Sequence, residues 1–180
     1  GKISPELGER IIAEGKADFI ALGRPLLGDP ELPNKIRAGR AEDVWECLYC
    51  NNCLIVDLEI FPGACSVNPF AFREERYPLP KTATVKNVMV VGGGLAGMRV
   101  AALLAERGHR VSLYEKSPEL GGQWNIACTT EGKERYASLT DRLRRSLAEH
   151  GAAVTTGVTG SREMELQRNA DVVIVATGAA

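Results

Sequence analysis

Four of the five cysteines fall between residues 47 and 65, where Cys47, Cys50 and Cys53 are spaced C-x2-C-x2-C and Cys65 follows after eleven further residues. Thiolates are soft ligands, suited to iron–sulfur clusters and to zinc. Structural zinc sites usually draw their ligands from two separated pairs. A short loop carrying three thiols can instead cap three corners of one small inorganic core, with the fourth thiol returning from further along the chain. The pattern therefore favours a [4Fe–4S] cluster over zinc and over free or regulatory thiols, although its last gap is wider than in the bacterial ferredoxin run. An odd number of clustered cysteines also disfavours a secreted disulfide framework. Cys128 stands alone and reads as a small buried hydrophobe, and His109 and His150 read as surface residues.

A second constellation is Gly92, Gly94 and Gly97, a G-x-G-x-x-G run between the apolar segment "NVMVV" and an alanine- and leucine-rich stretch. The first glycine permits the tight turn, the second lets backbone approach a pyrophosphate, and the third lets helix lie close to strand. The helix N-terminus then presents free N–H groups and a positive dipole end to the anion. Glu115 closes the next strand, eighteen residues beyond Gly97, where a carboxylate can accept from both hydroxyls of an adenosine ribose. The alternative is a glycine-rich strand-to-helix turn followed by an exposed glutamate. Past Glu115, the pair Gly121 and Gly122 precedes Gln123, and Ala176, Thr177 and Gly178 follow a later strand. Both features resemble the FAD-binding half of two-dinucleotide-domain flavoproteins and favour FAD over NAD at this site.

The elements that must position these groups follow from periodicity. Leu7, Ile11 and Ile12 predict a helix, Phe19 to Leu22 a strand, and Gly23 and Arg24 a loop leading to a short helix. Residues 41–83 hold the cysteines and a proline-bearing linker, with little regular structure expected. From residue 84 the order becomes strand, glycine loop, helix, strand, then a helix over 134–150 with Leu139, Leu143 and Leu147 on one face, then two strands. That order builds a parallel sheet covered by helices, a Rossmann-like α/β fold.

Charge excludes some partners. Lys and Arg number 22 against 23 Asp and Glu, which supplies no field to attract nucleic acid or an anionic membrane. With no apolar run of about 18 residues and no signal-peptide pattern, a soluble cytoplasmic protein is expected. A start at Gly1 rather than Met and an end at "VVIVATGAA" suggest a piece of a longer protein.

Taken in order, "GKADFIALGRPLLGDPELPNK", C-x2-C-x2-C-x11-C, "CSVNP" and the glycine loop resemble the multidomain old yellow enzyme family, which includes 2,4-dienoyl-CoA reductase, enoate reductases and trimethylamine dehydrogenase. The resemblance spans essentially the whole chain. It implies that residues 1–40 are the end of a (β/α)8 barrel, with Gly1 just past strand 7, Phe19 to Leu22 as strand 8, and Gly23 and Arg24 on FMN phosphate. It implies 41–83 as a [4Fe–4S] segment held by Cys47, Cys50, Cys53 and Cys65; the apolar residues Leu48, Ile55 and Phe61 around them read either as shielding for the cluster or as packing. Residues 84–180 become an FAD- or ADP-binding domain in which Ala96, Glu115, Gln123, Lys133 and Val158 join Gly92, Gly94, Gly97, Gly122 and Gly178 at the dinucleotide.

The function implied is electron transfer from NAD(P)H through FAD and the cluster to FMN, which reduces an activated C=C bond of an unsaturated acyl-CoA or enoate. In amine dehydrogenase relatives the flow runs outward from FMN. The short gap between Cys50 and Cys53 is closer to that branch. Without the first seven barrel strands the chain alone is expected to turn over no substrate. Two other classes are a non-catalytic nucleotide-binding module with structural zinc, and a thiol–disulfide oxidoreductase, for which the cysteines lie too far before the glycine loop. Substrate, choice of NADH or NADPH, and oligomeric state are not legible.

Overall fold

A computed structural model describes residues 3–55, 63–76, 80–167 and 169–178. Gly1 and Phe61 lie outside the described residues. The chain divides between residues 78 and 79 into two compact units.

In the first unit, helix α1 (Pro5–Ala13) begins where its sequence dictates. Ser4 is extended and its hydroxyl accepts from the Leu7 N–H at 3.3 Å, while Pro5 supplies a preset φ at the first position. The helix stops at Gly15, whose φ of 65° lets Gly15 and Lys16 return their N–H groups to Ile12 and Ile11. Residues 19–22 differ from expectation. They form no strand, and Phe19 is 88 % exposed. A strand exists only when a neighbour completes its ladder, and none of the described residues pairs with this segment.

Two short helices follow, α2 (Arg24–Gly28) and α3 (Leu32–Arg37). Asp29, buried between them, accepts from Lys35 Nζ at 2.7 Å, from the Glu31 N–H at 3.0 Å and from the Trp45 N–H at 2.9 Å. The cysteine segment is thereby tied to the helices before it. Among the described residues of 41–83, regular structure is confined to 3-10 turns at Ala41–Asp43 and Asn52–Leu54.

The second unit is a parallel sheet of β1 (Asn87–Val91), β2 (Arg110–Glu115), β3 (Ala153–Thr156) and β4 (Val172–Val175), in the order β3-β2-β1-β4. Val90 of the central strand lies opposite Leu113 on one side and Ile174 on the other. Strand β1 is buried over Val88, Met89 and Val90, the continuous apolar run expected of a strand covered on both faces. Helix α4 (Leu95–Glu106) packs on β2 and on helix α6 (Ala137–Glu149). Leu139, Leu143 and Leu147 are the buried stripe of α6, and Met98, Ala101 and Ala102 face inward from α4. Two helices not anticipated from periodicity, α5 (Gln123–Cys128) and α7 (Arg162–Gln167), are six residues each, too short to show a repeat.

Candidate functional site

Strand β1 is flanked by β2 and β4, so the chain leaves its C-terminal end at a topological switch point, where open α/β sheets bind ligands. A cavity of about 930 Å³ opens there, lined among others by Gly92, Gly94, Glu115, Gly122, Gln123 and Gly178. The three loop glycines are required for different reasons. A Cβ on Gly97 would stand 1.8 Å from the Gly92 carbonyl oxygen, and one on Gly92 would stand 2.3 Å from the Ala176 carbonyl oxygen. These two glycines are fixed by close backbone packing. At Gly94 a Cβ would meet no protein atom within 4 Å. Its missing side chain leaves room in the cavity rather than in the core. Gly94 also stands at the N-cap of α4, whose first turn no side chain caps, so its N–H groups and positive dipole end serve the cavity.

Glu115 is buried, and its two carboxylate oxygens accept from separate backbone donors: Gly93 N–H at 2.5 Å and Ser117 N–H at 2.8 Å. Burial by itself raises its pKa, but the donors of Ser117 and Gly93, with the Ser117 hydroxyl and Lys116 charge, outweigh it and hold the carboxyl below its ordinary value. Two carboxylate oxygens offer about four acceptor sites, so beyond these donors the group can still accept from an incoming hydroxyl. Glu115 thus braces the glycine loop as well as facing the cavity.

The second glycine pair closes onto the same loop. Gly121 donates to the Gly93 carbonyl at 2.8 Å and bridges Gly94, and a Cβ on Gly122 would come within 3.4 Å of the Gly94 Cα. Ala96 is exposed on the cavity lining, and Val158 donates its N–H to the Glu115 carbonyl at 2.9 Å, which sets it just before the lining residues Thr159 and Gly160. Lys133 is not among the described lining residues. Its ammonium lies 5.8 Å from the ring centre of Tyr136, which stacks on Trp124 at 5.0 Å. Trp124, unremarked in the sequence, does line the cavity and donates its indole N–H to the Tyr136 carbonyl at 2.9 Å.

In the first unit the segments that carry Cys47 and Cys65 both attach to α2. Gly28 lies under the Trp45–Cys47 backbone, where an added Cβ would stand 3.3 Å from the Trp45 carbonyl oxygen. The Asn68 side-chain amide donates to the Leu27 carbonyl at 3.0 Å, drawing the Cys65 segment to the same helix. Backbone N–H groups point at two sulfurs: Tyr49 at Cys47, and Val67 and Asn68 at Cys65, each at 3.4 Å. Cys50 is exposed, with its sulfur 3.3 Å from the Ser66 hydroxyl, and Cys53 sits half-buried in the Asn52–Leu54 turn. Burial pushes the Cys47 thiol up, the Tyr49 N–H opposes this, and the charges of Cys65, Arg24 and Cys50 all reach it. Ser66, the neighbour of Cys65, thus reaches the Cys50 sulfur. Among the described residues no three His, Cys, Asp or Glu are gathered where they could hold one metal ion. Leu48 is buried beside these sulfurs in sequence, whereas Ile55 is 67 % exposed and shields nothing within the described residues.

Gly23 precedes α2 with an exposed backbone. Arg24 is turned to the cysteine loop: its guanidinium donates to the Asn51 side-chain oxygen and lies 5.1 Å from the ring centre of Tyr49. A guanidinium has five N–H donors, so further acceptors can be served. Nothing in the spacing of Arg24, 27 residues before Asn51, signalled this contact. No helix of the described residues is long and apolar enough to cross a membrane.

Comparisons with known proteins cover almost the whole chain. Residues 90–137 match the NAD(P)-binding Rossmann-like domain family. The chain is 45 % identical over 179 residues to NADH oxidase of Thermoanaerobacter brockii, covering 97 % of this chain and 27 % of that protein. It is 40 % identical over 175 residues to cinnamate reductase of Clostridium sporogenes, covering 97 % and 26 %. Among solved structures, histamine dehydrogenase from Rhizobium sp. 4-9 superposes with a TM-score of 0.93 at 29 % identity, covering all of this chain and 27 % of that one. The chain thus spans about a quarter of the length of the curated relatives it matches. Alignments that run through the cysteine loop and the glycine loop together, to an NADH oxidase, a reductase and an amine dehydrogenase alike, match this chain to the multidomain old yellow enzyme family over about a quarter of its relatives' length.

Proposed function

We propose that the chain is the electron-transferring portion of an NAD(P)H-dependent flavin and iron–sulfur oxidoreductase that reduces activated C=C bonds. The observation that carries this reading is the return of the Cys65 segment to the triplet loop, where the Ser66 hydroxyl lies 3.3 Å from the Cys50 sulfur, with backbone N–H groups aimed at the sulfurs of Cys47 and Cys65. Such donors stabilise thiolate bound to an electron-poor core. Structural zinc sites usually draw their ligands from two separated pairs, whereas here three close thiols are joined by one remote thiol. The donor set fits a [4Fe–4S] cluster, held by Cys47, Cys50, Cys53 and Cys65, which when bound supplies one-electron transfer.

In the second unit the fit is to FAD or ADP. Gly94 and the α4 N-terminus take the pyrophosphate, Glu115 accepts from the ribose, and Ala96, Gly122, Gln123, Val158 and Gly178 border the remainder. Lys133 is proposed there only as a residue of the surrounding surface. Gly23 and Arg24 are proposed to hold FMN phosphate. The substrate class is an enoate or unsaturated acyl-CoA, as the name of the cinnamate reductase relative suggests.

A second reading, an amine dehydrogenase with ADP or FAD in the glycine-loop domain, is favoured by the likeness to histamine dehydrogenase and by the short Cys50–Cys53 gap. The higher identity to the NADH oxidase and the cinnamate reductase favours the first. Anaerobic purification of the full-length protein tests both. A brown protein with roughly four irons and four sulfides per chain is expected, with iron lost in Cys65→Ala, and with NADH or NADPH consumed only when an enoate is present. Oxidation of an amine without enoate turnover would select the second reading, and a colourless zinc protein would end both.

A further inference from the structure

Tyr49 and Asn51, the two neighbours of Cys50, are both in the left-handed region, at φ 54° and 63°. For a residue other than glycine this conformation is strained, and it persists only where surroundings hold it. Asparagine tolerates it; a tyrosine does so less readily. One side chain touches both. The Arg24 guanidinium donates to the Asn51 side-chain oxygen and presents itself to the face of the Tyr49 ring at 5.1 Å. The cation–π contact and the hydrogen bond together fix the backbone on either side of Cys50. Arg24 itself is set by α2, the helix that also receives Asn68 from the Cys65 segment.

We propose that Arg24 is a positioning residue of the cysteine site: its guanidinium clamps the Tyr49–Asn51 turn so that Cys50 is presented to the cluster, and its charge favours the reduced cluster. The inference rests on the iron–sulfur reading above and adds to it a role for a side chain that carries no sulfur. The two effects are separable. Planarity and the donor fork serve the clamp, so lysine cannot replace arginine there, whereas either residue supplies a positive charge. A positive charge near a one-electron centre stabilises the added electron, so its removal lowers the reduction potential.

The test uses anaerobically purified full-length protein and three variants, Arg24→Gln, Arg24→Lys and Asn51→Ala. Iron and sulfide content, the rate of iron release to a chelator, the electron paramagnetic resonance spectrum of the reduced cluster and its midpoint potential are measured, with flavin content recorded alongside. Arg24→Gln is expected to release iron several-fold faster and to shift the midpoint to more negative potential, on the order of tenfold in the one-electron equilibrium, or about 59 mV. Arg24→Lys should restore the potential while iron release stays fast. Asn51→Ala, which keeps the charge, should release iron faster with the potential held. Should Arg24→Gln fail to fold, the Lys and Ala variants decide the matter: wild-type release rates in both overturn the clamp. Equal potentials in wild type and Arg24→Gln overturn the electrostatic part. Absence of iron and sulfide from the wild type would sink the cluster reading itself, an outcome distinct from unchanged variants of an iron-bearing protein.

Discussion

Gly94 and Gly97 are three residues apart in the same loop, yet the structure requires them for unrelated reasons. A methyl on Gly97 collides with the Gly92 carbonyl at 1.8 Å, so Gly97→Ala must push α4 away from β1. A loss of about 3 kcal/mol or more is expected in urea unfolding, in the range of severe overpacking. Gly94→Ala adds a methyl that meets no protein atom. Its stability should stay within about 1 kcal/mol of wild type, while binding of ADP or FAD, followed by calorimetry, should be lost. Glu115 makes a pH-dependent contribution. Its carboxyl is held below its unfolded value, so its stabilisation is present above the unfolded pKa near 4.3 and is lost as pH falls through the lower folded value. Glu115→Gln should therefore unfold more easily than wild type at pH 7, by about 1.5–3 kcal/mol for lost charge-assisted hydrogen bonds. The gap should shrink steadily once pH drops below about 4, which parallel denaturant titrations across pH would reveal.

The elements of the first unit are short, and α2 is only five residues long. Its importance comes from what attaches to it: Arg24 reaches the triplet loop, the Leu27 carbonyl receives Asn68, and Gly28 lies against the Trp45–Cys47 backbone. Just beyond its end, Asp29 joins Lys35 and the Trp45 N–H in a buried ion pair whose partners are 3 % and 14 % exposed. Breaking such a pair from one side strands the other charge, at a cost of about 3–5 kcal/mol. Asp29→Asn is expected to destabilise the first unit by that order and to lower iron retention, because Trp45 leads directly into Cys47. Limited proteolysis should detect earlier cleavage near residue 45 in the variant, with the second unit unaffected.

At the level of the molecule, the two proposed sites fall in different compact units, and each unit should respond to its own ligand. Metal binding contributes free energy to folding of the unit that supplies the thiols. Stripping iron with a chelator should lower the calorimetric transition of the first unit and leave that of the second in place. Adding ADP or FAD at a hundredfold excess over its dissociation constant should stabilise the second unit by about 2.7 kcal/mol, a rise on the order of 10 °C for a domain of that size. A common shift of both transitions by either ligand would contradict this assignment.

How much of this was legible beforehand depended on how far apart the interacting residues lie. The glycine motif, the strands of residues 87–91 and 110–115 and the leucine face of α6 carry their signal in local residue order, where glycine φ, apolar run length and the 3.6-residue period leave a direct trace, and Glu115 is found by its motif spacing although its loop partner Gly93 lies 22 residues away. The clamp of Arg24 on Asn51 joins residues 27 apart, and that of Asn68 on Leu27 joins residues 41 apart. No periodicity records such a pairing, because it exists only once the backbone has brought both segments to α2. The segment 19–22 makes the same point in reverse. Its apolar run is a strand in composition, but strand structure is a property of two segments, and among the described residues it has no second one.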